Sequence, residues 1–139
     1  MPSLPDALIG YTGFVGSSLL KQHQFGNLYN SKNIKEIQNK DFNLVICAAA
    51  PSLKWLANKE PENDLAAIER LVTNLKKIKA KKFVLISTID VYSNLNGVDE
   101  NSPIEKTNLP PYGTHRLMLE KFIGDNFDSL IIRLPAIFG

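Results

Sequence analysis

At 139 residues the chain is long enough for one domain with a proper core, in which roughly 65 to 70% of the unfolded surface is buried, and too short for two. Sixteen basic against fourteen acidic side chains leave a formal charge of +2, too little for the electropositive footprint of a nucleic-acid binder, and a single cysteine, Cys47, excludes an intrachain disulfide. No stretch approaches the roughly 20 apolar residues of a membrane span, and Met1 to Pro5 lacks the basic and apolar regions of a signal peptide, so a protein of the reducing cytoplasm is expected.

Asp6 to Gly10 (DALIG) is a short apolar run that stops at glycine, and Val15, Leu19 and Leu20 then recur at helical spacing between Phe14 and Gln22. This predicts strand, glycine turn, helix. Phe25 to Tyr29 predicts a second short strand, and Asn33 an N-cap for a brief helix through Ile34 and Ile37. Asn43 to Ala49 (NLVICAA) is a continuous apolar run of strand length, expected for a central strand of a parallel sheet with both faces covered. Pro61 suits a first helical turn, after which Leu65, Ile68, Val72, Leu75 and Ile78 share a face. Lys76, Lys77, Lys79, Lys81 and Lys82 are read as solvated cations at the end of that helix, the alternative being nucleic acid or an anionic partner. Phe83 to Ser87 (FVLIS) predicts another buried strand, Asn94 to Pro111 a long polar and proline-rich loop, Tyr112 to Asn126 a helix through Leu117, Leu119 and Phe122, and Ser129 to Leu134 a last strand. The alternation implies a single α/β domain over residues 1–139, with a doubly wound parallel sheet and right-handed crossovers.

A dinucleotide-binding turn needs glycines for three reasons: the backbone reverses tightly, a pyrophosphate approaches the main chain, and the next helix packs closely on the strand. Gly10, Gly13 and Gly16 can meet those needs, with Thr12, Phe14 and Val15 between and after them. Free N–H groups and the positive dipole end at the start of the helix would then hold the diphosphate. Glycines also occur in ordinary turns, but here a strand precedes and a helix follows, the context such a motif requires. At the end of the second strand an acidic residue would bind the adenosine 2′-hydroxyl and a basic one would admit a 2′-phosphate. The chain offers Asn30, Ser31 and Lys32 and no carboxylate, so between NAD and NADP the reading leans to NADP, although Lys32 can equally be a solvated surface lysine.

Gly10-x-x-Gly13-x-x-Gly16, the strand end Ser87-Thr88-Ile89-Asp90-Val91-Tyr92, the run Tyr112-Gly113-Thr114-His115-Arg116 and the ending Arg133-Leu134-Pro135-Ala136-Ile137-Phe138-Gly139 together resemble the extended short-chain dehydrogenase/reductase family. Nucleotide-sugar epimerases, dehydratases and dTDP-4-dehydrorhamnose reductases belong to it. Cys47-Ala48-Ala49-Ala50 is similar to the alanine-rich turn after that family's fourth strand. The resemblance implies a Rossmann fold in three layers, a nicotinamide dinucleotide held partly by Ala48, Ala49 and Ala50, and a sugar nucleotide as substrate. It also implies that most of a smaller C-terminal substrate domain is missing here and that two copies pair through their long helices.

The family's acid/base is a tyrosine, which Tyr112 matches, and its proton-sharing serine or threonine is matched by Thr88. A phenol with an ordinary pKa near about 10 needs a nearby positive charge to act as a base at neutral pH. The family supplies a lysine four residues on, where this chain has Arg116. Arginine keeps the charge but brings a planar fork in place of a compact ammonium, so contacts to Tyr112 and to the nicotinamide ribose are expected to change. The structural alternative is a tyrosine stacked under an arginine that pairs with Glu120 at i+4. Of the acid pair that follows the threonine in the related dehydratases, only Asp90 is present beside Ile89, which disfavours elimination and leaves epimerase or reductase chemistry. Asp90 and Pro135 are expected near the substrate, and His115 is read as a polar helix residue. The non-catalytic alternative is a redox-sensing or scaffold NAD(P)-binding module of the atypical short-chain dehydrogenase type.

Overall fold

The computed structural model describes residues 3–50, 53–92 and 109–135. The elements run β1 (Asp6–Ile9), α1 (Phe14–Leu20), β2 (Asn27–Tyr29), a 3-10 turn (Ile34–Ile37), β3 (Asp41–Cys47), α2 (Lys54–Lys59), α3 (Pro61–Leu75), β4 (Lys79–Thr88), a second 3-10 turn (Ile89–Val91), α4 (Pro111–Asn126) and β5 (Ser129–Leu134). The strands form one sheet in the order β2-β1-β3-β4-β5, and every pairing is parallel.

That order follows from residue type. Parallel neighbours need crossovers, and strands covered on both faces must be apolar throughout their middles, as β1, β3 and β4 are. Ala7 lies opposite Val45 and Val45 opposite Phe83, so one row of fully buried side chains crosses the central strands. On it pack Ile68, Leu71 and Leu75 of α3 and Leu119 and Ile123 of α4. Right-handed crossovers place α1 on one face and α3 with α4 on the other, giving the expected three-layered doubly wound sheet.

Several expectations shift. β4 begins at Lys79, because Asp41 pairs with Lys79 and Phe42 with Ala80, so the ladder reaches back beyond the apolar run. Lys79, Lys81 and Lys82 therefore lie on β4 rather than at the helix end, exposed, with Lys82 paired to Asp128. Asn33 stands before the first 3-10 turn without capping it. Its side chain turns back, accepting the Asn30 N–H at 2.6 Å and donating to the Leu28 carbonyl at 3.0 Å. The alanine-rich turn follows β3, the third strand of this chain. α2 has no counterpart in the sequence pattern, since six residues with only Ala57 buried make no period. Residues 94–108 of the expected long loop, and 136–139, lie outside the described residues.

Candidate functional site

In an open parallel sheet the strand order reverses where the first crossover departs one way and the next the other, and a crevice opens there beyond the carboxyl ends of the strands. Here that point lies between β1 and β3. Gly10 follows β1, Asn30 follows β2, Ala48 follows β3, and Thr88 ends β4. Residues far apart in sequence thus meet along one edge.

The glycines divide the work unequally. Gly10 has φ of 89°, in the left-handed region, and a Cβ there would sit 2.5 Å from the Ala48 carbonyl oxygen. A Cβ at Gly16 would sit 1.9 Å from the Gly10 carbonyl oxygen, so α1 can lie this close to the turn only with glycine. Gly13 is different. Its nearest neighbour would be 3.7 Å away, ordinary contact, and the fold itself does not require a glycine there. Gly13 precedes α1 as its cap, Thr12 and Phe14 are exposed, and Val15 is half-buried.

Beyond β2 the chain makes a tight polar turn. The Asn30 side-chain oxygen accepts the N–H groups of Lys32 at 2.9 Å and Asn33 at 3.3 Å, while its amide nitrogen donates to the Tyr11 hydroxyl at 3.4 Å. Arg70 of α3 reaches across and donates from Nη2 to the Ser31 carbonyl at 2.7 Å. Asn30, Ser31, Ala49, Ala50 and Arg70 help to line a cleft of about 140 Å³, with Ile9 and Ile68 at its apolar floor.

At the other end, the end of β4 and the start of α4 come together at Asp90. The Thr88 hydroxyl accepts the Asp90 N–H at 3.1 Å and donates to the Asp90 carboxylate at 3.0 Å. Lys54 of α2 pairs with the same carboxylate at 2.7 Å, and Asn58, one turn on, accepts the Tyr112 N–H at 2.9 Å. Gly113 allows the start of α4 to reach this turn, since a Cβ there would sit 2.2 Å from the Asp90 carbonyl oxygen. Gly113→Ala is expected to push α4 off the turn and lower stability by about 1–3 kcal/mol, read by urea denaturation. Pro135 is exposed just past β5.

Arg116 is 2% exposed, and its guanidinium lies over the Tyr112 ring, 4.1 Å from the centroid. Among the described residues its ionic partner is Asp64 of α3, at 2.5 Å, and not Glu120. His115 donates from Nδ1 to the same Asp64 oxygen at 2.6 Å. Burial alone would raise the Asp64 carboxyl, but the hydrogen bonds from Arg116 and His115 and their charges outweigh it and hold the group below its ordinary value. Glu120 serves another network. It accepts from Ser87 at 2.6 Å and from Arg133 at 2.7 Å, and Arg133 also donates to the Tyr92 hydroxyl at 2.6 Å, tying the ends of β4 and β5 to α4. Pairing with Glu120 raises the Arg133 guanidinium above its ordinary value.

The sequence model of the NAD dependent epimerase/dehydratase family matches residues 21–139, beginning just past the glycine turn. The chain belongs to that family. Among solved structures it is similar to dTDP-4-dehydrorhamnose reductase from Bacillus anthracis in complex with NADP, with a TM-score of 0.76 and 19% identity over 99% of this chain and 55% of that one. It is also similar to UDP-glucuronic acid 4-epimerase from Bacillus cereus in complex with NAD, with 0.70, 21%, 96% and 57%. A third likeness is to a hypothetical dTDP-4-dehydrorhamnose reductase from Sulfolobus tokodaii, with 0.67, 26%, 96% and 56%. The chain thus spans little more than half the length of these structures. No curated protein sequence matches it.

For this member of the epimerase/dehydratase family, sequence patterning misses Lys54, Asn58, Asp64, Arg70 and Gly113. A usable signal existed for Asp64. The buried stripe of α3 is Asp64, Ile68, Leu71 and Leu75, rotated from the expected face so that Leu65 and Val72 are only half-buried. A carboxylate four residues before Ile68 in an apolar row is a demand for a buried partner. Read in the first turn of a helix, the same aspartate passes for a residue opposing the helix dipole.

Proposed function

We propose that this chain binds a nicotinamide dinucleotide and forms the cofactor-binding half of a nucleotide-sugar epimerase or reductase. The observation that carries the reading is the convergence of the Gly10 turn, the Ala48–Ala50 turn, Thr88 and Tyr112 on the carboxyl edge of one sheet. Backbone packed so closely that only glycine fits at Gly10 and Gly16, with open space left beside Gly13, fits the close approach of a pyrophosphate, and the cleft by Asn30 and Ala49 fits an adenosine end. The relatives described with NAD and with NADP support a dinucleotide of either kind, and the lack of a carboxylate among the described residues of the cleft lining favours NADP. A sugar nucleotide as substrate, a cytoplasmic location and pairing of two copies through the long helices belong to the same reading. No helix among the described residues is long and apolar enough to cross a membrane.

When bound, the nicotinamide supplies or accepts a hydride. Tyr112 moves the proton at the reacting oxygen, and Thr88 shares the charge that develops there. Arg116 holds the phenol ring from one face, while Asp64 and His115 fix the guanidinium. Lys54 neutralises Asp90, so that the Thr88 hydroxyl is oriented without an uncompensated charge beside it. Pro135 stands at the substrate end of β5. Tyr112→Phe is expected to leave dinucleotide binding intact and cut hydride transfer about 10²–10⁴-fold, followed by nicotinamide absorbance with candidate sugar nucleotides. Full turnover by Tyr112→Phe would remove the assigned mechanism.

One observation favours the non-catalytic reading. The Arg116 charge beside the Tyr112 ring is matched by the Asp64 carboxylate at 2.5 Å. Under that reading the wild-type chain binds the dinucleotide, and no sugar nucleotide alters its absorbance in a preparation whose binding is saturable.

A further inference from the structure

We propose that Arg70 is the residue that sets the cofactor form, and that the chain takes NADP(H) in preference to NAD(H) because the Arg70 guanidinium receives the adenosine 2′-phosphate. The inference rests on the dinucleotide reading and goes beyond it, to a side chain of α3 rather than of the β2 end.

An unphosphorylated ribose needs an acceptor for its 2′-hydroxyl where β2 ends, ordinarily a carboxylate. The residue available there is Asn30, and its side-chain oxygen already takes two N–H groups, those of Lys32 and Asn33. A carbonyl oxygen has two lone pairs, so this acceptor is spent within its own turn. The Ser31 carbonyl takes Arg70 on one of its lone pairs, which leaves the other and the Ser31 hydroxyl as neutral acceptors. Among the described residues the β2 end therefore offers a ribose hydroxyl neutral acceptors and no carboxylate. It offers a phosphate much more. Arg70 is the charged residue among those described as lining the cleft, it is exposed, and the bond from Nη2 to Ser31 spends one of its five N–H donors. Held at that carbonyl, the planar fork is already ordered at the mouth of the cleft, so less rotamer freedom is lost when an anion arrives. Lys32, exposed on the turn two residues after Asn30, adds a second positive charge on the same side.

A guanidinium also distinguishes Arg70 from a merely structural contact. The Ser31 hydrogen bond would tie α3 to the β2 end whatever the ligand, and its loss would lower stability without changing the ratio of the two affinities. A phosphate contact changes the ratio.

The test is calorimetric titration of the whole chain with NADPH and NADH, repeated for Arg70→Gln and Arg70→Glu at low and at physiological salt. Wild type is expected to favour NADPH by about tenfold or more, an advantage that shrinks with salt because a partly exposed ion pair is screened. Arg70→Gln should bring the two affinities within about twofold by weakening NADPH alone, and Arg70→Glu should favour NADH. Melting temperatures of the variants establish that each is folded. Equal affinities in wild type, or a loss in Arg70→Gln shared equally by both dinucleotides, overturns the assignment while leaving dinucleotide binding intact. Binding of neither dinucleotide by folded wild type overturns both this inference and the reading beneath it.

Discussion

Asp64→Ala is expected to destabilise the protein by about 3–5 kcal/mol, the cost of removing a buried carboxylate that both Arg116 and His115 hold. Arg116 is 2% exposed and Asp64 6%, so neither can turn to water without opening the α3–α4 contact, and His115 loses its acceptor in the same step. The loss should therefore exceed that of an ordinary surface ion pair, which is about 0–1 kcal/mol. Urea denaturation at neutral pH reads it directly. The double change Asp64→Leu with Arg116→Met should recover much of the loss, since an apolar pair of suitable volume removes both charges at once. A loss below about 1 kcal/mol in Asp64→Ala would show that the pair contributes no more than a solvated one.

The same carboxylate gives the pH dependence its sign. Asp64 is held below its ordinary value in the folded protein, so the native state binds its proton less readily than the unfolded chain does. Its contribution is complete above the unfolded value of about 3.9 and is lost as pH falls through the lower folded value. The stability gap between wild type and Asp64→Asn is thus expected to be constant through neutrality and to narrow below about pH 4. A gap that stayed constant down to about pH 2 would overturn this assignment.

Gly16→Ala and Gly13→Ala should part company, and that contrast carries the second large effect. At Gly16 the added Cβ lies 1.9 Å from a backbone oxygen, and the turn and α1 must separate. A loss of about 1–3 kcal/mol is expected, with dinucleotide affinity reduced far more than tenfold because the cradle itself is deformed. At Gly13 the added Cβ has room at 3.7 Å, so folding stability should stay within about 0.5 kcal/mol of wild type. Its affinity should nonetheless fall about tenfold or more, because the methyl group occupies space into which a pyrophosphate would come. Thermal melts and calorimetric titration of both variants separate the two effects. Unchanged affinity in Gly13→Ala would mean that the diphosphate does not approach the main chain at that residue.

Much of this was legible without coordinates. Continuous apolar runs alternating with helical periods specify a parallel sheet, because only strands covered on both faces need no polar alternation. The strand before Gly10 and the helix after Gly16 were readable for the same reason, and so was the pattern that aligns Thr88, Tyr112 and Arg116 with a known family. α4 was harder. Its buried face carries Tyr112, His115, Arg116 and Glu120 beside Leu119 and Ile123, so hydrophobicity alone misplaces the side that packs.

What the sequence by itself determined is the order of the strands and of the longer helices, the parallel sheet, the glycine turn and the identity of the groups at the carboxyl ends of the strands, because backbone sterics and apolar periodicity act locally. The tertiary structure alone decided how those groups are employed. Arg116 answers to Asp64, 52 residues away, rather than to Glu120 on its own helix, and Arg70 holds the carbonyl of Ser31, 39 residues before it and just past β2. Charge pairing depends on distance and on exclusion of water, and both are set only when α3 packs against α4 and across the end of β2.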